Sequence, residues 1–378
     1  MQFKQIFKHS ILTVAVTLAT TSYADITIGV SLPLTGAASS LGIPLANQVK
    51  LWPTQIAGEK LNVVIVDDAT DPAKGAQNTQ KFIADNVDLV MGSIVTPISA
   101  AMAQHLNEAQ IPQFSMGPFV SQPGKDRWSF RLVHGYDVMA SGILSHMKKN
   151  NVKTIGFLGY SDAFGEGWLT EVNKELADTG MKMVAVERFA RTDQSVNAQA
   201  LKLTQANPDA VLVIASGGGA ALPHRALIER GYKGRIYQTH AAASRDFIRL
   251  GGKDVDGGYV IAAPSVVAEQ IAANHPSKAA ATEFVQTYEG AYGAGSRAIF
   301  SASAYDLQKI LQTVIPKALK TAKPGTLAFR TAIRDNVEQM GPVPVANGTL
   351  NFSKDNHWAY GPTSPVMLRV VNGDWKAD

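Results

Sequence analysis

Residues 154–214 read TIGFLGYSDAFGEGWLTEVNKELADTGMKMVAVERFARTDQSVNAQALKLTQANPDAVLVI. Three short runs in this stretch, 154–158, 183–189 and Ala210–Ile214, are rich in β-branched and apolar residues and read as strands. Between them, 165–177 and 196–206 carry apolar residues at helical spacing. Strands separated by whole helices run parallel, with the helices covering both faces of the sheet. The series continues through a helix at 220–229 and a strand at Arg235–Gln238.

The same alternation stands upstream. Strands are expected at Ile26–Leu32, 62–67, 89–91 and 112–115. Helices are expected at 41–57, 72–85 and 98–109, the second with Asp71 as N-cap and Pro72 in its first turn. An irregular stretch, 119–128, separates the two series. The expected fold class is therefore α/β, with two doubly wound parallel-sheet lobes. The remaining third of the chain offers helices at 279–292, 301–319 and 328–338 and strand-like pieces at 348–352 and 365–371. That tail is too helical for a third repeat and reads as elements added to the two lobes.

The first 24 residues read as a leader. Lys4 and Lys8 precede an apolar run from Ile11 to Ala19, and small residues lead to Ala24. The run is shorter than the ~20 apolar residues a membrane-spanning helix needs. Cleavage after Ala24 leaves 354 of the 378 residues, a length suited to two domains. Losing Lys4 and Lys8 lowers the formal charge from +4 to +2. So small a charge gives no reason to expect nucleic acid or an anionic membrane as partner. The chain has no cysteine, hence neither disulfides nor a lipid-attachment thiol. A free periplasmic protein, stabilised by a large packed core, is the expectation.

Ligands of open α/β sheets bind beyond the carboxyl ends of the strands. Five such loops carry hydroxyls, glycines, aromatics and a single histidine: 92–97, 116–119, 159–168, 215–219 and 239–241. Thr96, before a helix, either caps it or helps bind an anion at its N-terminus. Gly217-Gly218-Gly219 lacks the Lys-Ser/Thr of a phosphate loop and reads as backbone brought close to a ligand or to the other lobe. Enzymatic patterns are missing. Gly159-Tyr160-Ser161-Asp162-Ala163 lacks the closing glycine of a nucleophile elbow, and no His-Glu-x-x-His helix occurs. Asp67, Asp68 and Asp71 lack the glycine and glutamate of a calcium loop and read as a capped turn. No catalytic residue, metal or cofactor is expected.

At these loops the chain resembles the type I periplasmic binding proteins of ABC transporters, in the group that binds leucine, isoleucine and valine. The resemblance covers essentially the whole chain after the leader. It is carried in order by residues 28–36 (IGVSLPLTG), 67–72 (DDATDP), 164–167 (FGEG) and 207–211 (NPDAV). It implies two lobes joined by a three-crossing hinge, closing on a small ligand without chemistry and then docking on a membrane permease. The crossings are placed near Leu132, Pro264 and Leu350. Residues 25–132 plus 264–349 then form the N-terminal lobe, and 133–263 plus 350–378 the C-terminal lobe. A monomer is expected.

Matched to the family pattern, Thr96 and the backbone of Ser115–Gly117 hold a ligand carboxylate, and Phe164 covers the ligand from the second lobe. Leu41 stands near the first loop, with Ser216 and Gly217 in the loop after Ala210–Ile214. Three positions depart from the amino-acid binders. His240 stands where they hold the ammonium with an acid, Ser216 where they often offer a tyrosine, and Phe119 where they place a second hydroxyl. Without an acid, a desolvated ammonium lacks its main partner. The departures point to an aromatic or hydrophobic carboxylate without an α-amino group, His240 acting as a donor or standing as a structural residue near the hinge. Branched-chain or other hydrophobic amino acids are the alternative ligands. A detached ligand sensor feeding a signalling partner is the alternative of another class. Of the five tryptophans, Trp168 is the one expected to lean toward the cleft.

Overall fold

The computed structural model describes residues 25–122 and 124–378; the expected leader lies outside them. The strands before the first break are β1 (Ile26–Leu32), β2 (Gln55–Ile56), β3 (Glu59–Asp67), β4 (Leu89–Gly92), β5 (Gln113–Ser115) and β6 (Ser129–Arg131). They form one sheet in the order β2-β3-β1-β4-β5-β6, parallel except for the short β2. The strands β7 (Thr154–Tyr160), β8 (Lys182–Phe189), β9 (Ala210–Ile214), β10 (Arg235–Gln238) and β11 (Tyr259–Ala262) form the parallel part of a second sheet. A hairpin of β12 (Val343–Val345) and β13 (Gly348–Leu350) lies apart from both sheets. The second sheet is completed antiparallel by β14 (Val366–Val371) and β15 (Asp374–Ala377), giving the order β15-β14-β11-β10-β9-β7-β8.

Helices α1 (Ser39–Val49), α2 (Pro72–Ala84) and α3 (Thr96–Glu108) alternate with the first strands. Helices α4 (Tyr136–Lys149), α5 (Ala163–Leu176), α6 (Asn197–Ala206), α7 (Ala221–Glu229) and α8 (Arg245–Gly251) do so in the second lobe. Of α9 (Lys278–Tyr292), α10 (Ile299–Ala318) and α11 (Leu327–Glu338), α10 returns to pack on α1 in the first lobe. Central strands β4 and β9 are buried along their whole length, as parallel strands covered on both faces must be.

Local chemistry sets the element ends. Asp71 accepts hydrogen bonds from the amides of Ala73 (2.7 Å) and Lys74 (3.4 Å), capping α2 behind Pro72. The acidic cluster beside it is spent on the same turn: Asp67 accepts from Leu34, Thr35 and Ala69, and Asp68 from Ser93 and Thr70. The helix expected at 41–57 is shorter. It ends at Val49, because Ala57 and Gly58 turn at φ +53° and +87° and bring β2 back onto β3 as a hairpin. The strictly parallel second sheet expected from the alternation also needs correction, since β14 and β15 add an antiparallel edge.

Segments far apart in the chain meet at one buried residue, Asn347. The Asn347 carbonyl accepts from His134 Nε2 (3.1 Å), its Oδ1 accepts from Ser265 Oγ (2.5 Å), and its amide donates to Asp306 (3.1 Å). Among the described residues no helix is long and apolar enough to cross a membrane.

Candidate functional site

Between the two sheets lies a narrow cavity of about 20 Å³, room for little more than one water. That is far below the ~300–1,000 Å³ typical of small-molecule sites. The first lobe lines it with Leu41 of α1, Ile94, Val95 and Thr96 at the start of α3, Met116 and Pro118 after β5, and Phe300 of α10. The second lobe adds Phe164 of α5, Arg191 after β8, Ser216 after β9, and His240 and Ala241 after β10. The wall is mostly apolar with a few convergent polar groups, as in pockets that orient a small organic ligand.

Thr96 is the first residue of α3 and not its cap, which is Val95; no side chain caps that helix. The loop before it is held by Ser93, which donates to Asp68 (2.7 Å) and accepts from the Val95 amide (3.2 Å). The Thr96 hydroxyl is buried and has no hydrogen-bond partner. An uncapped helix N-terminus and a free hydroxyl together present donors and a positive dipole end to the cavity.

Arg191 faces them from the other lobe. Its Nε donates to Asp162 (2.5 Å), and its Nη1 to Ser216 Oγ (3.1 Å). Its guanidinium lies 4.1 Å from the Tyr160 ring centroid. Asp162 also caps α5 through the amides of Phe164 (3.0 Å) and Gly165 (3.3 Å), so one carboxylate positions both the aromatic and the cation. Those two bonds use two of the five N–H donors of Arg191. Among the described residues lining the cavity, Arg191 is the only charged one, and no carboxylate stands on the wall.

His240 is 2% exposed, and its Nδ1 has no hydrogen-bond partner. Burial pulls its pKa down to about 4, so the imidazole is neutral near pH 7. Its ring lies 6.2 Å from that of His134. Burial, then the neighbouring His240, pulls His134 to about 3. Trp168 is fully buried behind this wall, its ring 6.2 Å from His240 and 6.5 Å from Phe164, and does not line the cavity.

Of the residues singled out in the sequence, Leu41, Thr96, Phe164, Ser216 and His240 come together on the cavity wall. Ser115, Gly117, Phe119 and Gly217 do not. Ser115 Oγ donates to the Gly117 carbonyl (2.7 Å) and accepts from the Gly117 amide (3.3 Å), so their polar groups close on one another. Phe119 turns away to Arg131: its carbonyl accepts from Arg131 Nε (2.8 Å), and its ring lies 4.2 Å from that guanidinium. Gly217 meets the first lobe at Ser40. His357, without an evident partner in the sequence, stacks on Phe130 and lies 3.1 Å from Glu338, remote from the cavity wall.

A sequence profile of the family described as periplasmic binding protein matches residues 25–374. The chain belongs to this family, in its type I, branched-chain amino acid group. Among its relatives, the Leu/Ile/Val-binding protein homolog 3 of Brucella melitensis is 24% identical over 348 residues, 89% of each chain. A solved extracellular ligand-binding receptor from Rhodopseudomonas palustris is 41% identical, with TM-score 0.91 over 94% of this chain and 99% of that one. An R. palustris solute binding protein of an ABC transporter, solved with benzoate, is 18% identical with TM-score 0.79 over 94% and 95% of the two chains. At that identity the likeness is one of fold. By name these relatives are binding proteins or an extracellular ligand-binding receptor.

In this periplasmic binding protein, Arg191 lies outside the five loops yet lines the cavity. The residue stands two positions past the carboxyl end of β8, where the strand-end rule also points. Met116, Pro118 and Phe300 were likewise not singled out; nothing in their residue types distinguishes them from core.

Proposed function

We propose that this protein is the solute-binding component of an ABC importer and closes its two lobes on a small aromatic or hydrophobic carboxylate without an α-amino group. The observation that carries the reading is the charge on the cavity wall: one cation, Arg191, and no acid. A carboxylate there meets the free N–H groups of Arg191 from one lobe and Thr96 with the start of α3 from the other. It thereby links the lobes, which is what biases a hinge toward closure. An ammonium placed in the same space would be desolvated without an anionic partner. The apolar residues and Phe164 receive the rest of the ligand. The protein carries out no bond chemistry in this reading and hands its ligand to a membrane permease as a monomer, after export and cleavage behind Ala24.

The lobes are assigned as 25–132 plus 264–360 and 133–263 plus the C-terminal strands from Val366. The third crossing is set between Tyr360 and Val366 and not near Leu350. The Ala359 amide donates to the Arg131 carbonyl (3.1 Å), and the Arg131 amide to the His357 carbonyl (2.8 Å), which keeps that stretch on the first sheet.

The test is thermal unfolding of the mature protein with benzoate, hydroxybenzoates, cinnamates, short fatty acids, leucine, isoleucine and valine. A ligand at 100 times its Kd adds about 2.7 kcal/mol to the stability of the folded state. Aryl acids are expected to raise the Tm and amino acids to leave it unchanged. A rise with leucine or valine alone overturns the reading in favour of the ligands for which the curated relatives are named.

A further inference from the structure

The loop after β9 meets the opposite lobe in a way that the ligand contacts do not require. Gly217 is buried, with φ +52°, at the start of a short 3-10 turn (Gly217–Ala220). A Cβ built on it would lie 2.1 Å from Ser40 Oγ, 3.1 Å from Leu41 Cδ2 and 3.4 Å from Ser40 Cβ. Ser40 and Leu41 belong to the first turn of α1 in the first lobe, so bare backbone of one lobe rests on a helix end of the other.

That helix end has no room to retreat. Gly42, in the same turn, is packed so tightly on Pro33 that a Cβ there would lie 2.1 Å from the Pro33 carbonyl oxygen. A second contact crosses between the lobes: Arg245, in the first turn of α8, donates from Nε to the Gly295 carbonyl (3.0 Å). Gly295 leads into α10, which supplies Phe300 to the cavity.

We propose that Gly217 against Ser40 is a closure seam, a contact that exists only when the lobes are shut, and that the absence of a side chain at 217 sets how completely they shut. The proposal rests on the reading that the lobes close on a ligand, and on nothing about which ligand it is. Rotation of the Ser40 hydroxyl clears space for a methyl group at 217. Leu41 Cδ2 and Ser40 Cβ leave none for a longer side chain. A residue with such a side chain holds the lobes apart while each lobe folds normally, and affinity falls because the ligand loses one wall.

Two variants test this. The natural chain has no cysteine, so S40C/G217C reports on the seam alone. The 3.4 Å from Ser40 Cβ to the built Cβ of Gly217 is close to the ~3.5–4.5 Å of a disulfide. Mild oxidation is expected to form an intramolecular disulfide, read as a mass loss and a faster band on a non-reducing gel, and saturating cinnamate to speed its formation several-fold. Two thiols that stay reduced under oxidant, with and without each acid and amino acid of the panel, overturn the seam. A disulfide that forms at one rate with and without a compound that raises the Tm shows a contact independent of closure and overturns the proposal.

The second variant is G217N. Asparagine tolerates a positive φ, so the backbone is little strained and the collision with Ser40 is what is measured. Affinity for whichever panel compound binds the natural protein is expected to fall about ten-fold or more, with the ligand-free melting temperature little changed, and S40G/G217N to recover part of the loss. Unchanged affinity in G217N overturns the proposal.

Discussion

The two walls of the cavity are made of different chemistry. The first-lobe wall is apolar apart from Thr96 and the open start of α3. The second-lobe wall carries Arg191, Ser216 and neutral His240 beside Phe164. Apolar burial yields roughly 25 cal/mol per Å² and has no direction. Charged hydrogen bonds have direction and discriminate between ligands by leaving groups unpaired in the wrong one. On the proposed reading, one lobe contributes affinity for almost any small hydrophobic molecule, and the other selects for an anionic end. The comparison is broken most easily on the second wall.

Replacing Arg191 with Gln keeps much of its size, removes the charge and strips Asp162 of its partner. Affinity for cinnamate in calorimetry is expected to fall about 30- to 1,000-fold, corresponding to ~2–4 kcal/mol for a charged group lost from a closed site. An uncharged analogue such as cinnamyl alcohol is expected to change little. Equal losses for both would mean that Arg191 only shapes the wall and that the charge asymmetry does not select the ligand.

His240 gives the second wall a pH signature. Its folded pKa is about 4 against 6.5 for the free side chain, so the unfolded chain binds more protons between those values. Its neutral burial is compatible with full stability above pH 6.5, and stability is lost as pH falls from 6.5 toward 4. His134, at about 3, and His224, pulled by burial to about 4, act in the same direction. Asp306 opposes them. Burial raises its pKa to about 7, so the folded state binds the extra proton, and stability is gained as pH falls from 7 toward 3.8. Comparing H240Q with the natural protein isolates one histidine. The variant's stability should fall less steeply below pH 6.5, by about 1.4 kcal/mol per pH unit in urea titrations. Parallel curves for the two proteins would mean that His240 is hydrated and titrates normally.

On the first wall, T96V is expected to cost about five-fold in carboxylate affinity, near the ~1 kcal/mol of one hydrogen bond. The ligand-free protein should be no less stable. The Thr96 hydroxyl is buried with only the Tyr136 hydroxyl near it, so a methyl in its place removes a desolvation cost and at most that one weak contact. A drop in ligand-free stability would show instead that the hydroxyl is bonded within the protein.

How far the sequence could be read follows from the same physics. The alternation of β-branched runs with helical spacing is local, and it marks both sheets and the strand ends where the ligand belongs. Asp71 capping α2 and the missing acid at His240 are also single-residue features that need no tertiary knowledge. Arg191 was hidden for a geometric reason. β8 is the edge strand of its sheet, so its loop starts far from the centre. Only the length of the arginine side chain, lying over Tyr160 to reach Ser216, carries the charge inward. The antiparallel β14 and β15 and the hairpin of β2 depend on pairings with distant or turn-dictated partners that periodicity does not encode.

The turn after β5 shows the finest limit, and Phe119 is where it can be tested. The expectation put the backbone of Ser115–Gly117 and the Phe119 ring against the ligand, and the structure lines the cavity there with Met116 and Pro118. β5 ends at Ser115 and the chain bends at Met116 and Gly117, so strand alternation does not tell which residues of this turn face the cavity. The turn is fixed by Arg131, which is 2% exposed, paired with Asp126 and bonded to the Phe119 carbonyl. Burying that cation requires the carbonyl and the ring of Phe119, and this leaves Met116 and Pro118 to face the ligand. F119L should therefore leave the affinity for aryl acids within about two-fold while lowering stability by ~1 kcal/mol, through the lost ring–guanidinium contact. Its counterpart F164L, on the wall itself, should lower affinity and spare stability. If the two variants exchange these behaviours, Arg131 does not set the turn, and the first wall is the one originally read from the sequence.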